Sequence, residues 1–281
     1  MKSNLLKKLI VATSLLAVSA PIVGLSETKA HANTEDASEI KAKQDKFNVP
    51  PSTLSPELFS EITDTTRTPY NSVGTVFVKG TGIASGVLIG KNTVLTNSHV
   101  VELAKQDPSK VIFTPASMRN EEGIQITPYG QFLAEDINEH PYGGGIDLAI
   151  IKLKPNDDGK SAGDSINPAK IPDNIDVQNG DKISLLGYPN NYSAHTLHRS
   201  EIEVFDADLG HYYGYTEEGN SGSGIFDLRG DLVGIHVGKG GKYNLPKGYF
   251  FDKKIGPVYS VDETFTTLGE DLKKRAELQA K

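Results

Sequence analysis

The 281-residue chain contains no cysteine, no tryptophan and only two methionines. The missing thiols exclude disulfides, thiolate zinc sites, iron–sulfur clusters and a cysteine nucleophile together. Positive charge is also in short supply. Lys and Arg number 29 against 36 Asp and Glu, a formal charge of −7, so the broad basic footprint of a nucleic-acid binder is absent. No H-E-x-x-H pair occurs, and His195 and His198 lack an evident third ligand. Asp157, Asp158 and Asp164 do not follow the spacing of a calcium loop, which leaves them as a solvated turn. The string Gly238–Lys242 continues with Tyr243, where a phosphate loop needs Ser or Thr. No metal and no cofactor is expected.

What is present points to an exported all-β protein. Lys2, Lys7 and Lys8 precede an apolar run from Leu9 to Leu25, and Ala30-His31-Ala32 reads as a cleavage signal. The alternative, a membrane anchor, is disfavoured by the run's short length and by Pro21. Cleavage after residue 32 removes four basic residues and one acidic one and takes the formal charge from −7 to −10. An exported chain without disulfides depends on core packing for its stability. Residues 33–67 are expected to form an N-terminal helical extension. Ala37, Ile40, Gln44 and Phe47 share a helical stripe, and Asn48-Val49-Pro50-Pro51 stops it. Residues 260–281 are expected to form a C-terminal helix, capped by Ser260 and Glu263, with Val261, Phe265, Leu268 and Leu272 on its apolar face. Short apolar runs between Val73 and Val237, punctuated by Gly and Asn turns, read as barrel strands. The polar, Pro-rich stretch from Lys154 to Asp176 separates a first β unit, 68–160, from a connector and second unit, 161–259.

Three strings carry candidate chemistry. Glu218-Gly219-Asn220-Ser221-Gly222-Ser223-Gly224 sets a serine on a tight glycine turn, where adjacent amides can converge on one oxyanion. A Gly/Ser hairpin turn would look similar. Leu95-Thr96-Asn97-Ser98-His99-Val100 puts a histidine at a strand end, and Gly145-Ile146-Asp147-Leu148-Ala149-Ile150 puts an aspartate at the head of an apolar strand. Each alone is compatible with a structural role. Together, the order His, Asp, Ser is the chain order of chymotrypsin-like proteases. A serine hydroxyl needs a neutral imidazole to take its proton and a carboxylate to orient that imidazole.

On these strings the chain resembles the glutamyl endopeptidase branch of the chymotrypsin superfamily, and the staphylococcal exfoliative (epidermolytic) toxins most closely. Pro69–Gly80, Gly86–Thr93, Asp147–Pro155 and His198–Glu203 extend the likeness over nearly all of the chain beyond residue 32. The resemblance implies an all-β fold: a chymotrypsin-like double β-barrel with an added N-terminal and C-terminal helix. It implies His99, Asp147 and Ser221 as catalytic residues and the amides of Gly219 and Ser221 as the oxyanion hole. It also implies Thr216, His236 and Lys239 as the lining of a pocket for a glutamate side chain. On the residues alone, His236 reads as a core histidine and Lys239 as a loop lysine.

Two departures from the wider superfamily stand out. Asn220 replaces the aspartate that pairs with a newly cut amino terminus in many trypsin-like enzymes. Glu218 places a carboxylate beside the oxyanion glycine, and in the toxins the peptide there rearranges before the hole forms. The resemblance further implies a secreted, extracellular monomer without membrane insertion, acting on a host cadherin ectodomain, desmoglein 1, with loss of epidermal cell adhesion. A general glutamyl endopeptidase and a protease-fold binding protein with a closed oxyanion hole are the competing readings.

Overall fold

The computed structural model describes residues 36–190 and 194–281. The expected signal segment, 1–32, lies outside the described residues. The N-terminal helix, Ala37–Asp45, starts where Asp36 accepts hydrogen bonds from the amides of Ser38 and Glu39 at 2.7 and 3.0 Å. These amides lack partners at any helix start, and the cap satisfies them. Ile40 is buried against Tyr213 and Leu245, so the helix is fastened to the second barrel.

The chain then forms a short strand, β1 (Phe59–Glu61), before entering the first barrel. That barrel comprises β2 (Val73–Val78), β3 (Gly82–Leu88), β4 (Thr93–Thr96), β5 (Val111–Pro115), β8 (Phe132–Asn138) and β9 (Ala149–Leu153). Two-residue strands β6 (Met118–Arg119) and β7 (Gln125–Ile126) make a small hairpin between β5 and β8. The order β2-β3-β4-β9-β8-β5 closes through β5 on β2, which leaves no free edge. Val76, Leu88, Val94, Phe113 and Ile151 fill its interior.

The second barrel contains β10 (Lys182–Gly187), β11 (His198–Asp206), β12 (His211–Tyr213), β13 (Gly224–Phe226), β14 (Leu232–Gly240) and β15 (Leu245–Phe250). Its ring closes where β12 pairs with β11. Along β11 buried and partly exposed residues alternate, so His198, Ser200, Ile202 and Val204 point inward. The length of β11 lets it serve twice. Residues 203–206 close the barrel, while 198–200 pair with β1. The segment ahead of the first barrel is therefore hydrogen-bonded to the second.

A third apolar cluster joins the barrels. It contains Val73, Leu95 and Leu148 from the first, Leu186, Tyr188 and Ile235 from the second, and Leu268 and Leu272 from the C-terminal helix. Each such side chain contributes about 1.5–3 kcal/mol on burial.

The C-terminal helix spans Leu268–Gln279, eight residues later than expected at its start. Thr267 and Glu270 form the capping box, not Ser260 and Glu263. Glu263 has φ of +54°, outside the helical region, and Ser260 instead accepts from the amide of Asp262. Phe265 stays 82% exposed rather than joining the apolar face. Two-residue strands β16 (Lys254–Ile255) and β17 (Thr266–Thr267) tie down the approach to the helix.

Asp271 fastens this helix. It is fully buried, accepts from Arg275 Nε at 2.5 Å and from the Tyr142 hydroxyl at 2.9 Å, and its other oxygen accepts from the Val261 amide at 2.8 Å. Asp271→Ala leaves three buried or part-buried donors without their acceptor. A loss of about 3–5 kcal/mol in unfolding free energy is expected, measurable as a lower urea midpoint with an unchanged slope.

Candidate active site

The cleft between the barrels receives one candidate residue from each of three elements. His99 sits in the helical turn Ser98–Val101, which follows β4. Asp147 precedes β9, and Ser221 lies in the turn leading into β13. Asn97 Nδ2 donates to the Asp147 carbonyl at 2.9 Å and ties the two first-barrel segments together.

The three side chains form a continuous hydrogen-bonded line. His99 Nδ1 lies 2.6 Å from Asp147 Oδ2, and His99 Nε2 lies 2.9 Å from Ser221 Oγ. Asp147 Oδ1 also accepts from the backbone amide of His99 at 3.0 Å. Burial pushes the Asp147 carboxyl upward. The ring and amide donors of His99 outweigh it and hold Asp147 below the usual aspartate range. An ionised carboxylate only accepts, so Nδ1 carries the imidazole proton and Nε2 is free to accept from the serine.

The turn around Ser221 is set in part by residues the sequence motifs did not single out. Ser85 on β3 is the main one. Its amide donates to the Ser221 carbonyl at 2.8 Å, its hydroxyl donates to the Gly219 carbonyl at 2.8 Å, and it accepts from the Tyr188 amide at 2.9 Å. Asn220 accepts from the Glu217 amide at 3.0 Å, while its own amide donates to the Glu217 carbonyl at 3.1 Å. The position that differs from trypsin-like enzymes thus braces the loop locally. Gly219 has φ of +91°, and a Cβ there would meet the Tyr188 carbonyl at 2.3 Å. Both facts require glycine.

The Glu218 carbonyl accepts from the Asn190 amide at 2.8 Å. A trans peptide points its N–H opposite to its C=O, so the Gly219 N–H is turned away from Asn190. Among the described residues, neither the Gly219 nor the Ser221 N–H has a backbone acceptor. The Glu218 side chain is exposed, at the rim of a cavity of about 330 Å³ lined in part by His99, Gly219 and Ser221.

Thr216, His236 and Lys239 lie on the second-barrel side of Ser221. His236, on β14, bonds to the serine turn through its backbone: its amide donates to Ser223 at 2.8 Å and its carbonyl accepts from Gly222 at 3.1 Å. The residue is 2% exposed, and its Nδ1 hydrogen-bonds the Tyr212 hydroxyl. Burial, aided by the nearby Lys239 charge, lowers the His236 pKa to about 3, so the ring is neutral. Lys239 is exposed, three residues further along β14. Thr216 is 5% exposed, and its buried hydroxyl has no hydrogen-bond partner among the described residues. Such a group is costly to leave unpaired.

Residues 84–235 match the family model of the trypsin-like peptidase domain. Exfoliative toxin A of Staphylococcus aureus is 46% identical over 248 residues, covering 84% of this chain and 89% of that protein. A glutamyl endopeptidase of Staphylococcus aureus strain MW2 is 37% identical over 183 residues, or 63% of this chain. The match spans about half, 54%, of that longer protein. Among solved structures, a Glu endopeptidase in complex with MPD has a TM-score of 0.53 at 21% identity, covering 69% of this chain and 90% of its own. That likeness shows the double-barrel fold. A scabies mite inactivated protease paralogue shares the fold at a TM-score of 0.51 and 18% identity, covering 68% of this chain and 90% of its own. The fold therefore does not by itself decide activity. With the toxin match running over most of both chains, this protein belongs to the exfoliative toxin branch of the chymotrypsin-like serine proteases.

Proposed function

We propose that the protein is a secreted serine endopeptidase that cuts a folded host protein after glutamate, using His99, Asp147 and Ser221. The observation that carries this reading is the unbroken line from Asp147 through His99 to Ser221. His99 Nε2 takes the Ser221 proton as Oγ attacks the carbonyl carbon of the scissile peptide. Asp147 stabilises the imidazolium that results. The amides of Gly219 and Ser221 receive the oxyanion. His99 then passes its proton to the leaving amine, and water repeats the sequence on the acyl-enzyme.

The glutamate pocket consists of Thr216, His236 and Lys239. A carboxylate entering a pocket loses its water and needs donors in return. The unpaired Thr216 hydroxyl and the neutral His236 ring provide them from buried positions, and Lys239 adds a cation from the exposed end. The substrate proposed is the ectodomain of desmoglein 1, met by a monomeric enzyme outside the cell after removal of residues 1–32. The percentage identity to exfoliative toxin A supports this choice over a general glutamyl protease.

Peptides differing only in Glu or Gln before the cut isolate the charge, because the two side chains share a shape. kcat/KM is expected to favour Glu by about 10- to 1000-fold, roughly 1.4–4 kcal/mol. Lys239→Ala is expected to shrink that ratio, and added salt to weaken the part due to this exposed lysine. Incubation with a folded desmoglein 1 ectodomain, with sequencing of the new termini, tests the substrate. One cut after a glutamate is expected. An intact ectodomain alongside rapid cleavage of unstructured Glu peptides would favour the general protease.

A further inference from the structure

Tyr212, on β12, is fully buried in the second barrel among Ile183, Leu185, Ile202, Val204 and Phe250. Its hydroxyl has one hydrogen-bond partner among the described residues, His236 Nδ1. No catalytic step uses it. We propose that Tyr212 is a positioning residue that fixes the tautomer of His236, so that Nε2 carries the proton and donates to the substrate carboxylate. The proposal rests on the reading of His236 as part of the glutamate pocket.

Hydrogen counting carries it. A neutral imidazole has one N–H and one lone pair, and burial keeps His236 neutral. Burial also pushes the Tyr212 hydroxyl well above its usual range, so that group stays protonated. If Nδ1 held the ring proton, it would donate to Tyr212, and the tyrosine proton would remain buried with no acceptor. Such an orphan is strongly disfavoured in a barrel core. If Tyr212 donates to Nδ1, the buried tyrosine proton has its acceptor, and the proton left without a partner among the described residues is the ring proton, on an atom that is not fully enclosed. The ring proton is then on Nε2, which makes no hydrogen bond among the described residues and is left for a ligand. The rings also meet at 6.0 Å between centroids and 56° between planes, which holds the imidazole orientation.

The tautomer decides what the pocket accepts. Nε2–H meets a carboxylate as a donor. The other tautomer meets it with a lone pair, which repels it. A glutamine side chain tolerates either, since its amide both donates and accepts. The device therefore works on Glu and not on Gln, and it adds no charge to the pocket.

Two measurements test this on the protein beginning at residue 33. The first is 15N-resolved NMR of the histidine side chains at neutral pH, with His236 assigned by its loss in His236→Gln. A protonated Nε2 and an unprotonated Nδ1 are expected, and the reverse pattern overturns the proposal. The second compares Tyr212→Phe with wild type on Glu and Gln peptides. A roughly tenfold fall in kcat/KM for Glu is expected, mainly through KM, with little change for Gln. Equal falls on both substrates would mean that Tyr212 only supports the barrel, and would overturn the positioning role. If Tyr212→Phe does not fold, the NMR result decides. A wild-type enzyme with no Glu preference would remove the pocket reading, while the NMR result would still report the tautomer.

Discussion

Ser221→Ala is expected to abolish proteolysis, with kcat reduced by about 10⁴-fold or more, and to leave the fold unchanged. In the proposed reaction the hydroxyl is the atom that bonds to the substrate, and alanine offers no nucleophile in its place. Its structural contribution is slight. It meets His99 Nε2 at 2.9 Å and the Val237 carbonyl at 3.4 Å, while the backbone of the turn is held independently by Ser85, Asn220 and Gly222. Circular dichroism and the urea midpoint should match wild type. Turnover at the wild-type rate by the folded variant would remove Ser221 from the chemistry.

Asp147→Asn is expected to cost about 10³- to 10⁴-fold in kcat, for a reason that the hydrogen bonds specify. Asp147 Oδ1 already accepts from the His99 amide at 3.0 Å. An asparagine keeps its oxygen in that place, because its amino group cannot accept. Its NH₂ then points at His99 Nδ1 and donates to it. The imidazole proton moves to Nε2, and the ring can no longer accept from Ser221. The side chain is isosteric, so a stability change under about 1.5 kcal/mol is expected. Steady-state kinetics beside thermal unfolding separates the two effects. A variant that unfolds easily but turns over normally would show that Asp147 acts on structure alone.

The residues that meet at the cleft were legible in the sequence because each sits at a punctuated strand end, where backbone chemistry is distinctive. What holds them was not. Ser85 contacts a turn more than 130 residues away, and no local pattern distinguishes it from any other serine on a strand. Tyr212 and His236 meet only because β12 and β14 both flank β15 in the closed ring. β8 reads Phe-Leu-Ala-Glu-Asp-Ile-Asn, with buried and exposed positions that break alternation at a register shift, so its charges concealed a barrel strand. β1 is too short to carry any periodicity. At the C-terminal helix, Ser260-x-x-Glu263 and Thr267-x-x-Glu270 are equally good local signals. The backbone decides between them, with Glu263 at positive φ and Leu268 buried at the barrel junction.

The most direct test of the proposed chemistry is reaction of the protein with a fluorophosphonate, which forms a stable adduct only with an activated serine. Intact mass and peptide mapping then locate the label. One adduct per chain, on Ser221 and lost in His99→Ala, is the expected result, because Nε2 is placed to take the serine proton. No adduct on Ser221 in the folded wild-type protein, or equal labelling in His99→Ala, would contradict a His99-activated nucleophile.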